Sequence, residues 1–212
     1  NQEKIAKLLR FSSTANDNAD ETVSLDDYIS RMKPDQEKIY YITGDSYAAV
    51  KNSPHLELLK KKDIEVLLMH DRVDEWMMSY LTEYAGKPLA SIAKGAVDLG
   101  KMEDEEEKKK TEKAAKDFKG MFKQMQDLLA GKVKEVRVSN RLTDSPSCLV
   151  VEEQDMAINL QKMLEAAGQH VPTNKPIFEV NPRHPLVVSL KDEKDDQRFG
   201  DLTSVLFDQA ML

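Results

Sequence analysis

With a single cysteine, Cys148, among 212 residues, the chain can form no intramolecular disulfide. So many charges without a covalent staple fit a reducing cytosol better than a secreted domain. No apolar run approaches the length a bilayer requires, and the N-terminal residues do not read as a signal peptide, which predicts a soluble, cytoplasmic protein that engages no membrane. Positive charge is also in short supply. A formal charge of -7 and a pI near 5.3 oppose the phosphate neutralisation that nucleic-acid binding needs, and no basic stretch is interleaved with aromatics, so nucleic acid is excluded as a partner class. Tryptophan occurs once, as Trp76 in "DEWMM" (74–78).

What is present suggests two small domains, since 212 residues suffice for one good core or two modest ones. "KIAKLLRF" (4–11) has the spacing of a short amphipathic helix, and the polar "SSTANDNADET" after it reads as a mobile linker. Ser24 opens a helix in "SLDDYISRM", with Asp27 as capping-box partner and Pro34 beyond its end. An alternation follows: "KIYYIT" as strand, "SYAAVKN" and "SPHLELLKKK" as helices, "EVLLMH" as strand, "RVDEWMMSYLTEY" as a helix ended by Gly86, and "PLASIA" as a short strand. Near-continuous apolar strands between helices predict a parallel sheet covered on both faces, a small three-layer α/β/α unit.

From Glu103 the composition changes. "EDEEEKKKTEKAAKDFKGMFKQMQDLLAG" predicts one long helix, its first half laced by i,i+4 pairs such as Asp104 with Lys108, its second half carrying a stripe of Phe118, Met121, Phe122, Met125, Leu128 and Leu129 until Gly131. "VKEVRVSN", "SCLVVEE" and "PIFEVN" read as strands, "DMAINLQKMLEAAG" as a helix, and a last helix runs from Asp196 to the end. The second half is thus α+β, and the fold class is α/β plus α+β. The chain starts without a Met and stops inside a helical apolar pattern without a cap, as an excised piece of a longer protein would.

Chemistry is sparse. "YITGDS" places Gly44 and Ser46 between a strand and a helix, where a phosphate could sit, but the further glycines of a dinucleotide turn and the Gly-Lys-Ser/Thr of a P-loop are missing; a capped strand-to-helix turn is the default. His55, His70, His170 and His184 are scattered and make no H-x-x-x-H spacing, so no metal site is predicted. Cys148 lies in an apolar strand and reads as a small buried hydrophobe. Asp71, Asp74 and Glu75 sit where a helix dipole attracts carboxylates, so no catalytic residue is assigned. On a continuous helix Met77, Tyr80, Leu81 and Tyr84 share a face with Trp76 at its edge, either partly buried or an exposed contact. Met156, Leu160, Met163, Leu164 and Ala167 form a second stripe, opposite Asn159, Gln161, Lys162 and Glu165. Packing on a sheet is its default role, but its two methionines suit a surface that accepts many shapes.

Taken in order, "SLDDYISRMK", "IYYITGDS", "SPHLELLKKK", "IEVLLMHDRVDEW", "RLTDSPSCLV" and "NPRHPLV" resemble the heat-shock protein 90 chaperone family, its bacterial branch in particular, over essentially the whole chain. The resemblance implies that residues 1–102 are the end of the middle domain, with a helical lead-in and the small α/β/α subdomain. It makes residues 103–212 an α+β C-terminal domain, with a short sheet and flanking helices, truncated before the last dimerisation helix. It further implies an ATP-driven, homodimeric chaperone in stress response and folding, whose ATP and Mg site lies in an N-terminal domain outside this sequence, so that this piece carries no cofactor. Trp76, Met156, Leu160, Met163 and Leu164 become candidate contacts for partly folded clients, Asp74 and Glu75 acids flanking Trp76, and Leu202, Val205 and Leu206 candidate dimer contacts. Co-chaperones are implied partners of the parent. The alternatives are a structural connector or dimerisation module, which predicts a buried Trp76, and a small phosphate-binding α/β enzyme.

Overall fold

The computed structural model describes residues 2–16, 18–156, 158–169 and 174–211. The chain forms two compact units, the first from residues 1–93, 98–103 and 157–170, the second from 94–97, 104–156 and 171–212. The fold class is α/β plus α+β, built on two small mixed sheets.

In the first unit the elements run α1 (Gln2–Ala6), β1 (Ser12–Ser13), α2 (Leu25–Arg31), β2 (Ile39–Thr43), α3 (Tyr47–Lys51), α4 (Glu57–Lys61), β3 (Leu67–Met69), α5 (Asp74–Met78), β4 (Glu83–Tyr84) and β5 (Lys87–Ser91). The sheet order is β1-β3-β2-β5-β4. Its centre, β3, β2 and β5, is parallel as the sequence predicts, but antiparallel strands close both edges. Both edge strands depart from expectation. β1 lies in the stretch read as a mobile linker: Ser12 and Ser13 are fully buried because their hydroxyls have partners, Ser12 donating to the Ala19 carbonyl at 2.9 Å and Ser13 to Glu65 at 2.6 Å. A polar sequence can be an edge strand when each buried polar atom is satisfied.

β4 replaces the second half of the predicted long helix. α5 stops at Met78, and Ala85 and Gly86, with φ of 48° and 73°, make a two-residue turn into β5. Both central residues at positive φ is the hairpin geometry whose twist suits antiparallel strands. Tyr28 shows how α2 is held on the sheet: nearly fully buried, its hydroxyl donates to the Glu65 carbonyl at 2.7 Å and accepts from the Tyr40 N–H and from Gln36. Desolvation pushes that phenol well above its ordinary value. Ser24 caps α2 as predicted, with Asp27 returning the bond.

The second unit contains α6 (Glu105–Asp117), α7 (Lys119–Leu128), β6 (Glu135–Val138), β7 (Ser147–Val150), β8 (Ile177–Val180), α9 (Pro185–Lys191) and α10 (Asp196–Met211). β8 is the central strand, parallel to β6 and antiparallel to β7. The predicted single long helix is interrupted at Phe118, whose φ of -103° and ψ of 1° leave the helical region. Phe118 and Phe122 stack there, and Met121 and Met125 are buried beside them, while α6 buries nothing. Helix α9 has no counterpart in the sequence reading, although Pro185 at its first turn is a start signal; His184 is its cap, Nδ1 accepting from the Leu186 N–H at 3.2 Å. Cys148 is buried with Leu142, Val150 and Ile177.

At the heart of this unit lies an ionic cluster. Glu179 on β8, 1% exposed, accepts from Arg141 Nε at 2.8 Å, from Arg137 at 2.8 Å and from Ser139 Oγ at 3.0 Å. Arg141, itself fully buried, also donates to the Gly95 carbonyl. Burial opposes ionisation of Glu179, but the two guanidinium groups outweigh it and hold the carboxyl below its ordinary value.

Candidate functional site

β3 delivers its chain through His70 and Asp71 into α5, and the junction is tied both ways: the Asp71 N–H donates to Asp74 Oδ2 at 2.9 Å, and the Asp74 N–H to the Asp71 carbonyl at 3.0 Å. Asp74 is therefore buried, and desolvation pushes its carboxyl up to about 6, the neighbouring Asp71 and Glu21 adding to the effect and the Asp71 N–H opposing it. Glu75 is half-buried and accepts from the Thr43 hydroxyl. Of the two acids expected to flank Trp76, Asp74 thus ties the start of α5 and Glu75 joins that helix to Thr43 at the end of β2.

Trp76 itself is 48% exposed, and Val73 and Tyr80 are more so, at 65% and 74%. Val73 precedes α5, Trp76 lies within it and Tyr80 follows it, so the three exposed side chains bracket one short helix. Asp74, Met78 and Leu81 are by contrast buried, with Met77 partly packed against the same core. The face predicted for a longer helix is divided: because α5 ends at Met78, Leu81 and Tyr84 go to the core and Tyr80 stays outside. Val73 was not singled out from the sequence, although its spacing to Trp76 and Tyr80 was visible there; the missing fact was that Asp74 points inward.

The second predicted stripe lies on α8 (Ile158–Ala166), whose contacts place it in the first unit. Leu164 is buried, Leu160 and Met163 are half-buried, and Met156, just before the helix, is half-buried as well. On its polar side Gln161 donates to Glu165 at 2.9 Å. The side chains of Asn159 and Lys162, and His170, lie outside the described residues. Met163 and Ala166 line a cleft of about 570 Å³ whose other wall includes Thr43, His70, Asp71 and Glu75. Of the dimer candidates on α10, Leu206 is 3% exposed, with its carbonyl accepting from Ser147, and Leu202 is half-buried, whereas Val205 faces outward.

"YITGDS" also borders this cleft. Gly44 is required there by packing, since a Cβ would stand 2.6 Å from Val50 Cγ1, and Ser46 caps α3 by accepting from the Ala49 N–H.

An α/β unit carrying an exposed aromatic stripe beside an amphipathic helix, followed by an α+β unit, is matched along its entire length, residues 1–212, by the family model described as Hsp90 protein. The chain belongs to the Hsp90 family. Among curated proteins it is similar to the chaperone protein HtpG of Aromatoleum aromaticum, 58% identical over the whole of this chain and 32% of the relative. It is similarly close to those of Dechloromonas aromatica, at 58% identity and 33% of the relative, and Nitrosomonas eutropha, at 57% and 33%. The chain spans about a third of the length of these relatives. Among the described residues no helix is long and apolar enough to cross a membrane.

Proposed function

We propose that this chain is the client-holding part of an ATP-dependent, homodimeric cytoplasmic chaperone, with residues 1–102 ending its middle domain and 103–212 forming most of its C-terminal domain. It binds partly folded proteins through Val73, Trp76 and Tyr80, with Leu160 and Met163 as further contacts in the first unit and Met156 as one in the second, and by itself neither binds nor hydrolyses ATP. The ATP and Mg site belongs to the missing part of the parent, which also supplies the closing motion and any co-chaperone contacts. The similarity to HtpG chaperones supports this reading, and the exposed Val73–Trp76–Tyr80 stripe carries it. A large indole held half in water beside other apolar side chains gains free energy from any partner that covers it. The partner need only present apolar surface, so recognition is broad and weak, and the flexible methionines adapt to differing shapes.

A purely structural connector predicts a shielded Trp76, against its 48% exposure. A phosphate-binding enzyme is disfavoured because three acids, Asp45, Asp71 and Glu75, line the cleft beside "YITGDS" and outnumber its one permanent cation, Arg72. Since Trp76 is the only tryptophan, its emission can be followed with a tryptophan-free, permanently unfolded client protein. A saturable blue shift is expected. An unchanged spectrum at high client concentration, with the chain folded, would rule the surface out.

A further inference from the structure

We infer that Glu21, His70 and Asp71 form a binding site for one borderline divalent transition-metal ion, of which Zn²⁺ is the type. Each offers a ligand atom, and these atoms lie within 4.8 Å of one another. His70 Nε2 and Glu21 Oε1 are 3.6 Å apart, close to the edge of about 3.4 Å that separates two ligands at ~2.1 Å from a tetrahedral zinc ion. One neutral imidazole and two carboxylates are a donor set for Zn²⁺, Co²⁺ or Ni²⁺, whereas Ca²⁺ takes six to eight oxygen ligands and the imidazole nitrogen disfavours the oxygen-seeking Mg²⁺.

The ligands come from segments 49 residues apart, so no spacing motif could reveal them. Their supports are fixed. His70 leaves the end of β3, Tyr47 stands edge-on to its ring with centroids 5.8 Å apart, and Ser12 Oγ, fully buried on β1, lies 3.3 Å from Nε2. The same Ser12 hydroxyl donates to the Ala19 carbonyl, and Val23 pairs with Phe11 through bonds of 2.9 and 3.0 Å, so the segment bearing Glu21 is held on both sides. The ion replaces the Nε2···Oγ contact, with the ring proton on Nδ1, and fastens the polar 18–22 segment to the end of β3. His70 and Asp71 also line the cleft, which leaves space for water as the remaining ligand.

Titration of the tag-free chain with Co²⁺, followed by Zn²⁺ competition, tests the site. One equivalent should bind with visible d–d absorption, Zn²⁺ should displace it, and amide exchange in residues 18–22 should slow in the loaded protein. His70→Gln and Glu21→Gln should each weaken binding at least about tenfold, while His184→Gln leaves it unchanged; circular dichroism and Trp76 emission confirm that each variant is folded. Unaltered binding in both His70→Gln and Glu21→Gln, loss in His184→Gln, or no binding by the folded wild-type chain would overturn the assignment.

Discussion

Replacing Arg141 by leucine should destabilise the second unit by about 3 kcal/mol and leave the first almost untouched. The guanidinium is fully buried and donates to the buried Glu179 carboxylate and to the carbonyl of the half-buried Gly95. Removing one member of a buried charge pair costs about 3–5 kcal/mol, chiefly because the other charge is stranded. Here the lower end applies, because Arg137 still holds Glu179 Oε1 at 2.8 Å and Ser139 still holds Oε2 at 3.0 Å. With a urea slope of about 2 kcal/mol/M, the midpoint of this unit should fall by roughly 1.5 M. Trp76 sits in the first unit, so its emission reports that unit alone, whereas far-ultraviolet circular dichroism reports both. The dichroism should therefore show an early transition in the variant while the Trp76 midpoint stays in place. Adding Glu179→Leu should recover part of the loss, since the stranded carboxylate is then gone. A shift below about 1 kcal/mol, or an equal shift of the Trp76 transition, would refute the reasoning.

The same carboxylate sets a pH dependence. Its folded value lies below the unfolded one near 4.5, so the stabilisation is complete above that pH and is lost as pH falls through the folded value; acid titration of wild type and Arg141→Leu should show a shallower loss in the variant. Gly44→Ala places a methyl 2.6 Å from Val50 Cγ1 and should cost about 1–3 kcal/mol in urea melts followed by Trp76, part of it regained on adding Val50→Ala. Ala85→Gly relieves an L-residue held at φ 48° in the β4–β5 turn and should raise the same midpoint by about 0.5–1 kcal/mol.

The parallel centre of the first sheet was legible because β2 and β3 are buried on both faces and their apolar runs are bounded by helices with visible caps at Ser24 and Ser46. The edge strands were not. β1 is written in serines whose burial depends on partners distant in sequence, and the apolar periodicity of 73–84 suits a helix until a turn at Ala85 and Gly86 pulls Tyr84 into a strand. In the second unit the apolar strands were readable, but their order was not, since β8 comes last in sequence yet lies between β6 and β7. For the candidate site, the sequence singled out Trp76, Met163 on α8 and Met156 just before it. It also offered Asp74 as a surface acid, and only the backbone bond from Asp71 shows why that carboxylate turns inward. The grouping of Glu21 with His70 was likewise hidden, because it depends on how the 18–22 segment folds against β1.

The most direct test of the central claim is light scattering by an aggregating, partly folded client in the presence of this chain or of a Val73→Ser, Trp76→Arg, Tyr80→Ser variant. All three side chains are largely outside the core, so the variant should retain wild-type circular dichroism and urea midpoint. The account predicts that the native chain suppresses aggregation in a concentration-dependent way and that the equally stable variant loses most of that effect. Equal suppression by both would contradict it.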